Sequence, residues 1–260
     1  MILDEIVDRQ RSQLAANPPD EGRLHETAAD ASPVLDFVGT LKDGPEPALI
    51  AECKRRSPVR GLLDPSYDVA ARARAYVEAG ATAVSVLTNT DFDGELDDLD
   101  RARAAAGAPV LRKDFVIDPV QLLEARAHGA DAVLLIARIL EPGLLAQMTS
   151  HCRDLGIQTL VEVHHESELE AALAARPDMI GVNQRNLETF EVNQGLVARV
   201  APQLPAGMPM IAESGFHTRD EVLAAAAAGA RAVLVGEALM TAADPAAKIR
   251  ELLGAGVASR

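Results

Sequence analysis

Large aromatic side chains are almost absent from this chain. Its 260 residues include no tryptophan, two tyrosines and five phenylalanines, although 48% of the residues are hydrophobic. The core therefore has to be built mainly from Ala, Val, Leu and Ile. That composition suits helices packed on a buried parallel sheet, whose strands read as short aliphatic runs. The length suits one α/β domain, and we expect residues 1–260 to form a single domain.

Basic residues are also scarce, and lysine most of all. The chain has four lysines and 21 arginines against 39 acidic residues, for a formal charge of −14. Proteins that bind nucleic acid normally carry a basic patch, so we expect no nucleic-acid partner, and an anionic ligand needs a local positive site. An acidic, lysine-poor surface is typical of proteins from a very salty cytoplasm, although GC-rich coding also favours Arg over Lys.

Cysteines and long apolar runs are few as well. Cys53 and Cys152 lie in different segments without metal-ligand spacing, which favours buried, inert thiols over a metal site. The first 11 residues are charged and lack the apolar stretch of a signal peptide. No run approaches the roughly 18 apolar residues that a membrane span requires. We therefore expect a cytoplasmic protein that does not enter membranes.

Short aliphatic runs alternate with helical patterns from residue 48 onward. Each run is followed by an amphipathic or Ala-rich segment, and eight such units in succession favour a closed barrel over an open sheet. The sequence thus predicts an α/β fold, a (β/α)8 TIM barrel with an N-terminal helical extension. The eight predicted strands are Ala48–Lys54, Ala83–Thr88, Val110–Phe115, Ala132–Ala137, Thr159–Val163, Met179–Asn183, Met210–Ser214 and Ala232–Gly236.

A repeated junction supports this prediction. Glu-Ala-Gly-Ala-Thr-Ala-Val (78–84), Ala-His-Gly-Ala-Asp-Ala-Val (127–133) and Ala-Ala-Gly-Ala-Arg-Ala-Val (227–233) are variants of one helix-stop, strand-start pattern. Their glycines lie 49 and 100 residues apart, which corresponds to two and four βα units. Arg176-Pro177-Asp178-Met179 occupies the place of the missing copy. We expect each glycine to end its helix in the left-handed conformation.

The first 47 residues differ from the rest. Ile2–Ala16 has the pattern of an amphipathic helix that ends before Asn17-Pro18-Pro19-Asp20. Residues 24–29 and 36–41 suggest further short helical stretches before the Gly44-Pro45-Glu46-Pro47 linker. We expect this extension to pack across the barrel.

Charged and polar residues collect where the predicted strands end. Catalysis in such barrels is concentrated at the carboxyl ends of strands, where alternate side chains point inward. Two of the four lysines are at these positions, and lysine can lose its proton when desolvated whereas arginine cannot. Unpaired charges there are costly unless they neutralise one another or bind a ligand. The converging residues are Glu52, Lys54, Lys113, Phe115, Glu162, Asn183, Arg185, Glu213 and Ser214.

The loops after the seventh and eighth predicted strands suggest a phosphate site. They contain Glu-Ser-Gly-Phe (213–216) and Gly-Glu (236–237), and these loops form the recurrent phosphate cradle of such barrels. The segment Ser-Pro-Val-Arg-Gly (57–61) follows the first strand and is either a mobile lid that carries Ser57 or Arg60 to the anion or an ordinary connection.

Six ordered motifs resemble those of the indole-3-glycerol phosphate synthase family, and the resemblance covers essentially the whole chain. They are Ile-Ala-Glu-Cys-Lys-Arg-Arg-Ser-Pro (50–58), Val-Leu-Thr (86–88) with Phe-Asp-Gly (92–94), Leu-Arg-Lys-Asp-Phe (111–115), Leu-Val-Glu-Val-His (160–164), Gly-Val-Asn-Gln-Arg-Asn-Leu (181–187) and Ile-Ala-Glu-Ser-Gly (211–215). The resemblance implies an enzyme of tryptophan biosynthesis, and because the chain length leaves no room for a second fused domain, we expect a monofunctional form. It would close the indole ring of 1-(2-carboxyphenylamino)-1-deoxyribulose 5-phosphate with loss of carbon dioxide and water, and without a metal or organic cofactor. We expect a monomer.

The resemblance also implies roles for individual residues. Lys113 looks like the general acid, Glu162 like an acid-base partner in the dehydration, and Lys54 like the group that faces the substrate carboxylate. The other implied roles are orientation or charge stabilisation for Glu52 and Glu213, a sugar hydroxyl for Asn183, an anionic group for Arg185 and Ser57, the phosphate cradle for Ser214, Gly215, Gly236 and Glu237, and an apolar wall for Phe92, Phe115 and Leu134.

Two departures from the family pattern concern the ends of this pocket. After the second predicted strand the family usually has paired aromatics, whereas this chain reads Asp-Phe-Asp-Gly-Glu (91–95) with one residue fewer. We therefore expect a less aromatic ring pocket. Glu237 stands where a serine is common, which leaves its backbone N–H as the group available to the phosphate.

Two other functions fit parts of the pattern. A Schiff-base aldolase would use Lys113 or Lys54 as nucleophile, and borohydride trapping would reveal its imine. The carboxylates around the lysines favour acid-base chemistry instead. A barrel that binds phosphate without turnover is the second alternative, and the intact set Glu52, Lys54, Lys113, Glu162 and Asn183 argues against it.

The acidic composition leads to a prediction about salt. If the acidic surface is an adaptation to high salt, removing salt increases repulsion among unscreened carboxylates and lowers stability. We expect the melting temperature to fall as salt is dialysed from molar to low millimolar concentration. A melting temperature indifferent to salt would contradict this origin of the composition.

Overall fold

Eight parallel strands form a closed barrel in the computed structural model, which describes residues 2–57, 61–64, 67–186 and 191–254. Each strand pairs with its neighbour in the chain, and the last pairs with the first, Ala232 opposite Ala48. The predicted fold class is therefore confirmed. The strands are β1 Ala48–Cys53, β2 Ala83–Leu87, β3 Val110–Lys113, β4 Ala132–Ile136, β5 Gln158–Val163, β6 Met179–Asn183, β7 Met210–Glu213 and β8 Ala232–Val235.

Most of the strands end one or two residues earlier than predicted. Lys54, Phe115, Ser214 and Gly236 belong to the loops at the carboxyl end of the barrel rather than to the strands. Ser214 shows the physical reason, because its φ of 69° leaves the extended region directly after β7. The residues at this end of the barrel therefore lie where a strand that is fixed in the sheet passes into a loop that turns over the barrel mouth.

The barrel interior is aliphatic at its lower and middle levels and polar at the top. Alternation along each strand sends one set of side chains inward. This inner cluster includes Ile50, Leu111, Leu134, Leu160 and Leu234, all almost fully buried. One step further along β1, β3 and β5 the inward positions are Glu52, Lys113 and Glu162. The change from apolar to charged side chains therefore coincides with the carboxyl end of the sheet.

Helices cover the outside of the barrel, and several begin at a residue whose side chain accepts a backbone N–H. Asp20, Asp36, Asp68 and Asp244 cap helices in this way, and Thr218 forms a capping box with Glu221. The helices are α1 Ile2–Ala16, α2 Glu21–Asp30, α3 Phe37–Asp43, α4 Val69–Glu78, α5 Asp97–Ala106, α6 Val120–Ala127, α7 Pro142–Asp154, α8 Leu169–Ala174, α9 Leu196–Val200, α10 Arg219–Ala227, α11 Glu237–Met240 and α12 Pro245–Leu253.

The repeated junctions have the conformation that the sequence predicts. Gly80, Gly129 and Gly229 have φ values of 111°, 75° and 105°, and each follows a helix. Arg176, at the place of the missing copy, has a φ of 57°. The junction geometry is therefore kept even where the residue is not glycine, although the left-handed region is unfavourable for residues with a Cβ.

The N-terminal extension contacts both ends of the barrel. On α1, Arg9 pairs with Asp91 in the loop after β2, with Nε 3.1 Å from Oδ1. At the opposite end, Phe37 and Leu41 of α3 are fully buried against the lower part of the barrel core. Between them, α2 packs on α6. The extension thus crosses the barrel from the mouth to the base.

Both cysteines are buried, and burial raises the pKa of the Cys152 thiol to about 12. They are therefore poor nucleophiles. Within the described ranges, no helix has the length and hydropathy to cross a membrane.

Candidate active site

A cavity of about 390 Å³ opens at the carboxyl end of the barrel. All of the sequence-predicted site residues line it, although they come from strands and loops far apart in the chain. They are Glu52, Lys54, Ser57, Phe92, Lys113, Phe115, Leu134, Glu162, Asn183, Arg185, Glu213, Ser214, Gly215, Gly236 and Glu237. The structure brings these residues together, while their individual roles stay predictions.

Lys113, the last residue of β3, lies between two buried carboxyl groups. Its Nζ is 3.0 Å from Oε2 of Glu162 and 3.3 Å from Oε2 of Glu213. These distances are set by the sheet, because β5 and β7 present inward side chains at the same height as β3. Such close charge pairs in a largely dry site are strong only when every charge has a partner.

A second ammonium–carboxylate pair lies beside the first. Lys54 Nζ is 2.7 Å from Oε1 of Glu52, and the glutamate side chain is 7% exposed. The same oxygen lies against Gly236 at the end of β8, where an added Cβ would come within 2.2 Å of it. Glycine at this position therefore lets the Glu52 carboxylate pack on the backbone of the neighbouring loop.

The buried charges set the protonation states of the site. Burial alone lowers the pKa of Lys113, but the carboxylates of Glu162, Glu213 and Glu52 outweigh it and raise that pKa, so Lys113 is an ammonium. Burial acts to raise the pKa of Glu162, but Lys113 and His164 hold it well below the usual range. Burial and the adjacent Glu162 raise the pKa of Glu213.

The two glutamates therefore differ in protonation although both contact Lys113. Environments that push two carboxyl pKa values apart separate an acid from a base. Of the two, Glu162 is the carboxylate that can accept a proton. Glu213 is the group that favours the neutral form.

Polar groups after β6, β7 and β8 surround the far end of the cavity. Ser214 Oγ donates to Oδ1 of Asn183 over 2.8 Å, and the backbone N–H of Arg185 donates to the same oxygen over 3.1 Å. Arg185 Nη2 lies 3.3 Å from Oε2 of Glu237. The guanidinium thus offsets the negative charge that Glu237 brings to this end.

An apolar wall lies opposite these polar groups. The rings of Phe92 and Phe115 stack with centroids 6.2 Å apart and an interplanar angle of 24°. Leu134 completes the wall, together with Leu3 and Ile6 of α1. The shortened loop after β2 thus keeps one phenylalanine in the pocket. The aliphatic side chains of the N-terminal helix add apolar surface beside it.

The loop after β1 is only partly described. Arg56–Ser57 and Gly61–Leu62 form a short antiparallel hairpin, and Ser57 lines the cavity. Arg56 Nε lies 2.7 Å from Oδ2 of Asp93 in the loop after β2. Pro58, Val59 and Arg60 lie outside the described residues, so the suggested contact of Arg60 with an anion stays a prediction.

Sequence reasoning missed several residues around this cavity. Leu3 and Ile6 of α1 line it although they lie far before β1 in the chain, and the sequence-level signal was the apolar face of α1. Arg112 is 2% exposed on the outer face of β3, where its guanidinium contacts Asp114 and Glu124. The ion pair between Arg112 and Asp114 thus restrains the residues directly before and after Lys113. The signal for Arg112 was an arginine inside an aliphatic strand.

The raised pKa of Glu213 leads to a prediction about stability. A raised folded-state pKa means that its stability contribution is present at low pH and is lost as the pH rises above the ordinary value of about 4.3. Glu213→Gln removes this titration. We therefore expect the free energy of unfolding of the wild type, relative to the variant, to fall as the pH rises, with a limiting slope of about 1.4 kcal/mol per pH unit.

Urea unfolding of the wild type and of the variants between pH 3 and 8 measures these differences. Glu221→Gln is the control with the opposite sign, because backbone N–H groups of His217 and Thr218 outweigh slight burial and lower the pKa of Glu221. The stability that Glu221 contributes is present above about pH 4.3 and is lost as the pH falls below that value, so the wild-type minus Glu221→Gln difference changes in the acidic part of the range. A wild-type minus Glu213→Gln difference that is constant with pH would contradict the assignment.

Comparisons with known proteins identify the family of the chain. The family model described as indole-3-glycerol phosphate synthase matches residues 3–252. Proteins named indole-3-glycerol phosphate synthase from Mycobacteroides abscessus and Mycobacterium avium are each 47% identical over 258 residues, which cover 98% of this chain and 94% of each relative.

Solved structures share the fold at low identity. A mutant tryptophan synthase alpha-subunit from Pyrococcus furiosus has a TM-score of 0.61 at 17% identity, covering 80% of this chain and 98% of that one. Orotidine 5'-phosphate decarboxylase from Pyrococcus horikoshii has a TM-score of 0.60 at 15% identity, covering 79% and 97%. These likenesses concern the barrel alone. The family match over nearly the whole length, with close relatives of the same name, shows that the chain belongs to the indole-3-glycerol phosphate synthase family.

Proposed function

We propose that the cavity converts 1-(2-carboxyphenylamino)-1-deoxyribulose 5-phosphate into indole-3-glycerol phosphate, carbon dioxide and water, with Lys113 as the general acid. The chain is an enzyme of tryptophan biosynthesis that acts on a phosphorylated small molecule. The observation that carries the assignment of roles is the Lys113 ammonium, held between the carboxyl groups of Glu162 and Glu213 beside the Lys54–Glu52 pair.

Ring closure begins with attack of the carboxylate-bearing ring carbon on the sugar carbonyl carbon. As that bond forms, the carbonyl oxygen gains negative charge and becomes a strong base. Lys113 keeps its proton in the free site because three carboxyl groups raise its pKa. It releases the proton only to an oxygen that develops alkoxide character, which is the behaviour required of an acid acting in the transition state.

The intermediate carries positive charge on the ring nitrogen until carbon dioxide leaves. Glu52 and Glu213 line the cavity beside Lys113 and stabilise this charge. The positive charge lowers the pKa of Glu213, counteracting burial and Glu162, so that Glu213 releases its proton to solvent and faces the cation as a carboxylate. Lys54 binds the substrate carboxylate, which competes with Glu52 for the ammonium. Departure of carbon dioxide leaves the bonding electrons in the ring and restores aromaticity.

Dehydration completes the reaction. The hydroxyl made from the carbonyl oxygen leaves as water, and the adjacent carbon gives up a proton. Glu162, whose lowered pKa keeps it a carboxylate, accepts the proton from carbon and returns one to the departing hydroxyl. The dehydration therefore needs no net proton, and the one net proton that the whole reaction consumes is the proton that Lys113 donates to the carbonyl oxygen.

The ends of the cavity orient the substrate. Phe92, Phe115 and Leu134 form the apolar wall for the anthranilate ring. Asn183 binds a sugar hydroxyl, and Arg185 and Ser57 bind an anionic group. The phosphate is held by Ser214 and by the backbone at Gly215, Gly236 and Glu237, which all line the same end.

Turnover of the synthetic substrate, followed by the fluorescence of the indole product, tests this function directly. A folded sample that gives no signal at any salt concentration would overturn it. Lys113→Ala should lower kcat by at least about a hundredfold, the scale of a general acid's contribution. Lys54→Ala is the matched comparison and should raise KM more than Lys113→Ala does. An unchanged rate in Lys113→Ala would move the acid role to Lys54.

Glu237 gives a separate prediction about phosphate binding. Its carboxylate repels a phosphate at this end, and its pairing with Arg185 over 3.3 Å competes with the substrate for the guanidinium. Glu237→Ser removes both effects, so KM should fall by about two- to fivefold at low salt, on the scale of about 1 kcal/mol for partly exposed charges. Glu251→Gln, which removes an exposed charge on α12, is the control. A raised KM in Glu237→Ser would show that Glu237 assists binding instead.

A further inference from the structure

Glu162 has a second partner that the chemistry above does not use. His164 follows β5, and its Nε2 lies 3.2 Å from Oε1 of Glu162, while Lys113 contacts the other oxygen, Oε2, over 3.0 Å. The His164 side chain is 2% exposed. The two oxygens of one carboxylate thus face different nitrogens.

We propose that His164 is a positioning residue: a neutral imidazole whose Nε2–H holds Oε1 of Glu162, so that Oε2 is the oxygen that exchanges protons beside Lys113. This inference rests on the function proposed above and adds a residue to it.

The charges around His164 favour the neutral ring. Burial lowers the pKa of His164, as do the cations of Lys113 and Arg138, and together they outweigh the carboxylates of Glu162 and Glu168. The Glu168 carboxylate is itself occupied by backbone donors, since its Oε2 accepts from the N–H of His164 over 2.7 Å. The ring is therefore uncharged at neutral pH.

The position of the single ring proton follows from what each nitrogen faces. In the described part of the chain neither ring nitrogen makes a hydrogen bond of good geometry, and the contact of Nε2 with Glu162 is the polar contact that the ring does make. A proton on Nε2 faces the nearby negative charge, whereas a proton on Nδ1 turns the Nε2 lone pair toward it. Catalytic hydrogen bonds are often poorly aligned before the substrate binds and tighten in its complex.

The contact decides which oxygen of Glu162 is reactive. A donor on Oε1 stabilises negative charge there and disfavours protonation at that oxygen. The proton then goes to Oε2, the oxygen next to Lys113 on the cavity side. Without the donor, the carboxyl group is free to rotate about its last bond, and its pKa rises because one of its stabilising contacts is lost. Lys113, Glu213 and His164 are the groups that face this carboxyl.

A matched pair of substitutions separates this role from packing. Gln places an N–H donor near the position of Nε2, whereas Met has a similar shape without a donor. We expect His164→Met to lower kcat by about tenfold, the scale of one hydrogen bond to a charged group, and to move the acidic limb of the kcat/KM profile to higher pH. His164→Gln should stay within about threefold of the wild type and keep the limb in place. His151→Gln and His151→Met on α7 are the control pair and should not differ.

Equal kcat values and equal acidic limbs in His164→Gln and His164→Met would overturn the positioning role. A wild type without turnover would instead remove the proposed function, so the two failures are distinguishable. Should His164→Met fail to fold, ¹⁵N spectra of histidine-labelled wild type decide the matter. A neutral ring protonated on Nε2 between pH 6 and 8 is the expected result, and an imidazolium or a proton on Nδ1 would contradict the proposal.

Discussion

The ammonium of Lys113, surrounded by carboxyl groups at the top of an aliphatic barrel, is the constraint on which the rest of the site depends. A buried charge is stable only with close partners, and here Glu162 and Glu213 both lie within 3.3 Å of Nζ. The partners in turn compete for one cation, so their pKa values move in opposite directions. Removing Lys113 leaves the Glu162 carboxylate without its ammonium, and removing Glu162 leaves that ammonium without its ionised partner. The protonation pattern is therefore a property of the cluster rather than of single residues.

The barrel holds this cluster by fixing both faces of β3. Lys113 points into the cavity, while Arg112 and Asp114 on either side of it point outward and pair with each other over 3.2 Å. Thr88 donates to Asp114 over 2.6 Å, which ties the end of β3 to the end of β2. The rigid outer network thus limits how far the Lys113 backbone can move. A general acid needs this restriction, because proton transfer depends on small changes in distance.

The sequence was sufficient to predict the barrel and the residues that line the site, but not the contacts between their side chains. Aliphatic runs followed by helical segments predicted all eight strands, because parallel strands buried on both faces leave little choice of side chain. Charged residues at the ends of such runs predicted the site, since Glu52, Lys113 and Glu162 fall on inward positions. The contact of His164 with Glu162, the Arg185–Glu237 pair and the packing of Leu3 in the cavity depend on side-chain rotamers and on long-range packing. The alternation of side chains along a strand and the spacing of motifs in the sequence carry no information on those contacts.

The difference between the two lysines is a difference in neighbours, not in residue type. Lys54 has its close contact with Glu52, whose carboxylate is fixed against Gly236. Lys113 has two carboxyl partners from different strands, and one of them, Glu213, favours its neutral form. A substrate carboxylate that binds Lys54 therefore competes with one carboxylate, that of Glu52, for the ammonium. At Lys113 a developing alkoxide meets a cation that lies between the Glu162 carboxylate and Glu213, whose pKa is raised by burial and by Glu162. The same fold thus supports binding of an anion at one ammonium and transfer of a proton at the other, because the adjacent strands supply different numbers of carboxyl groups.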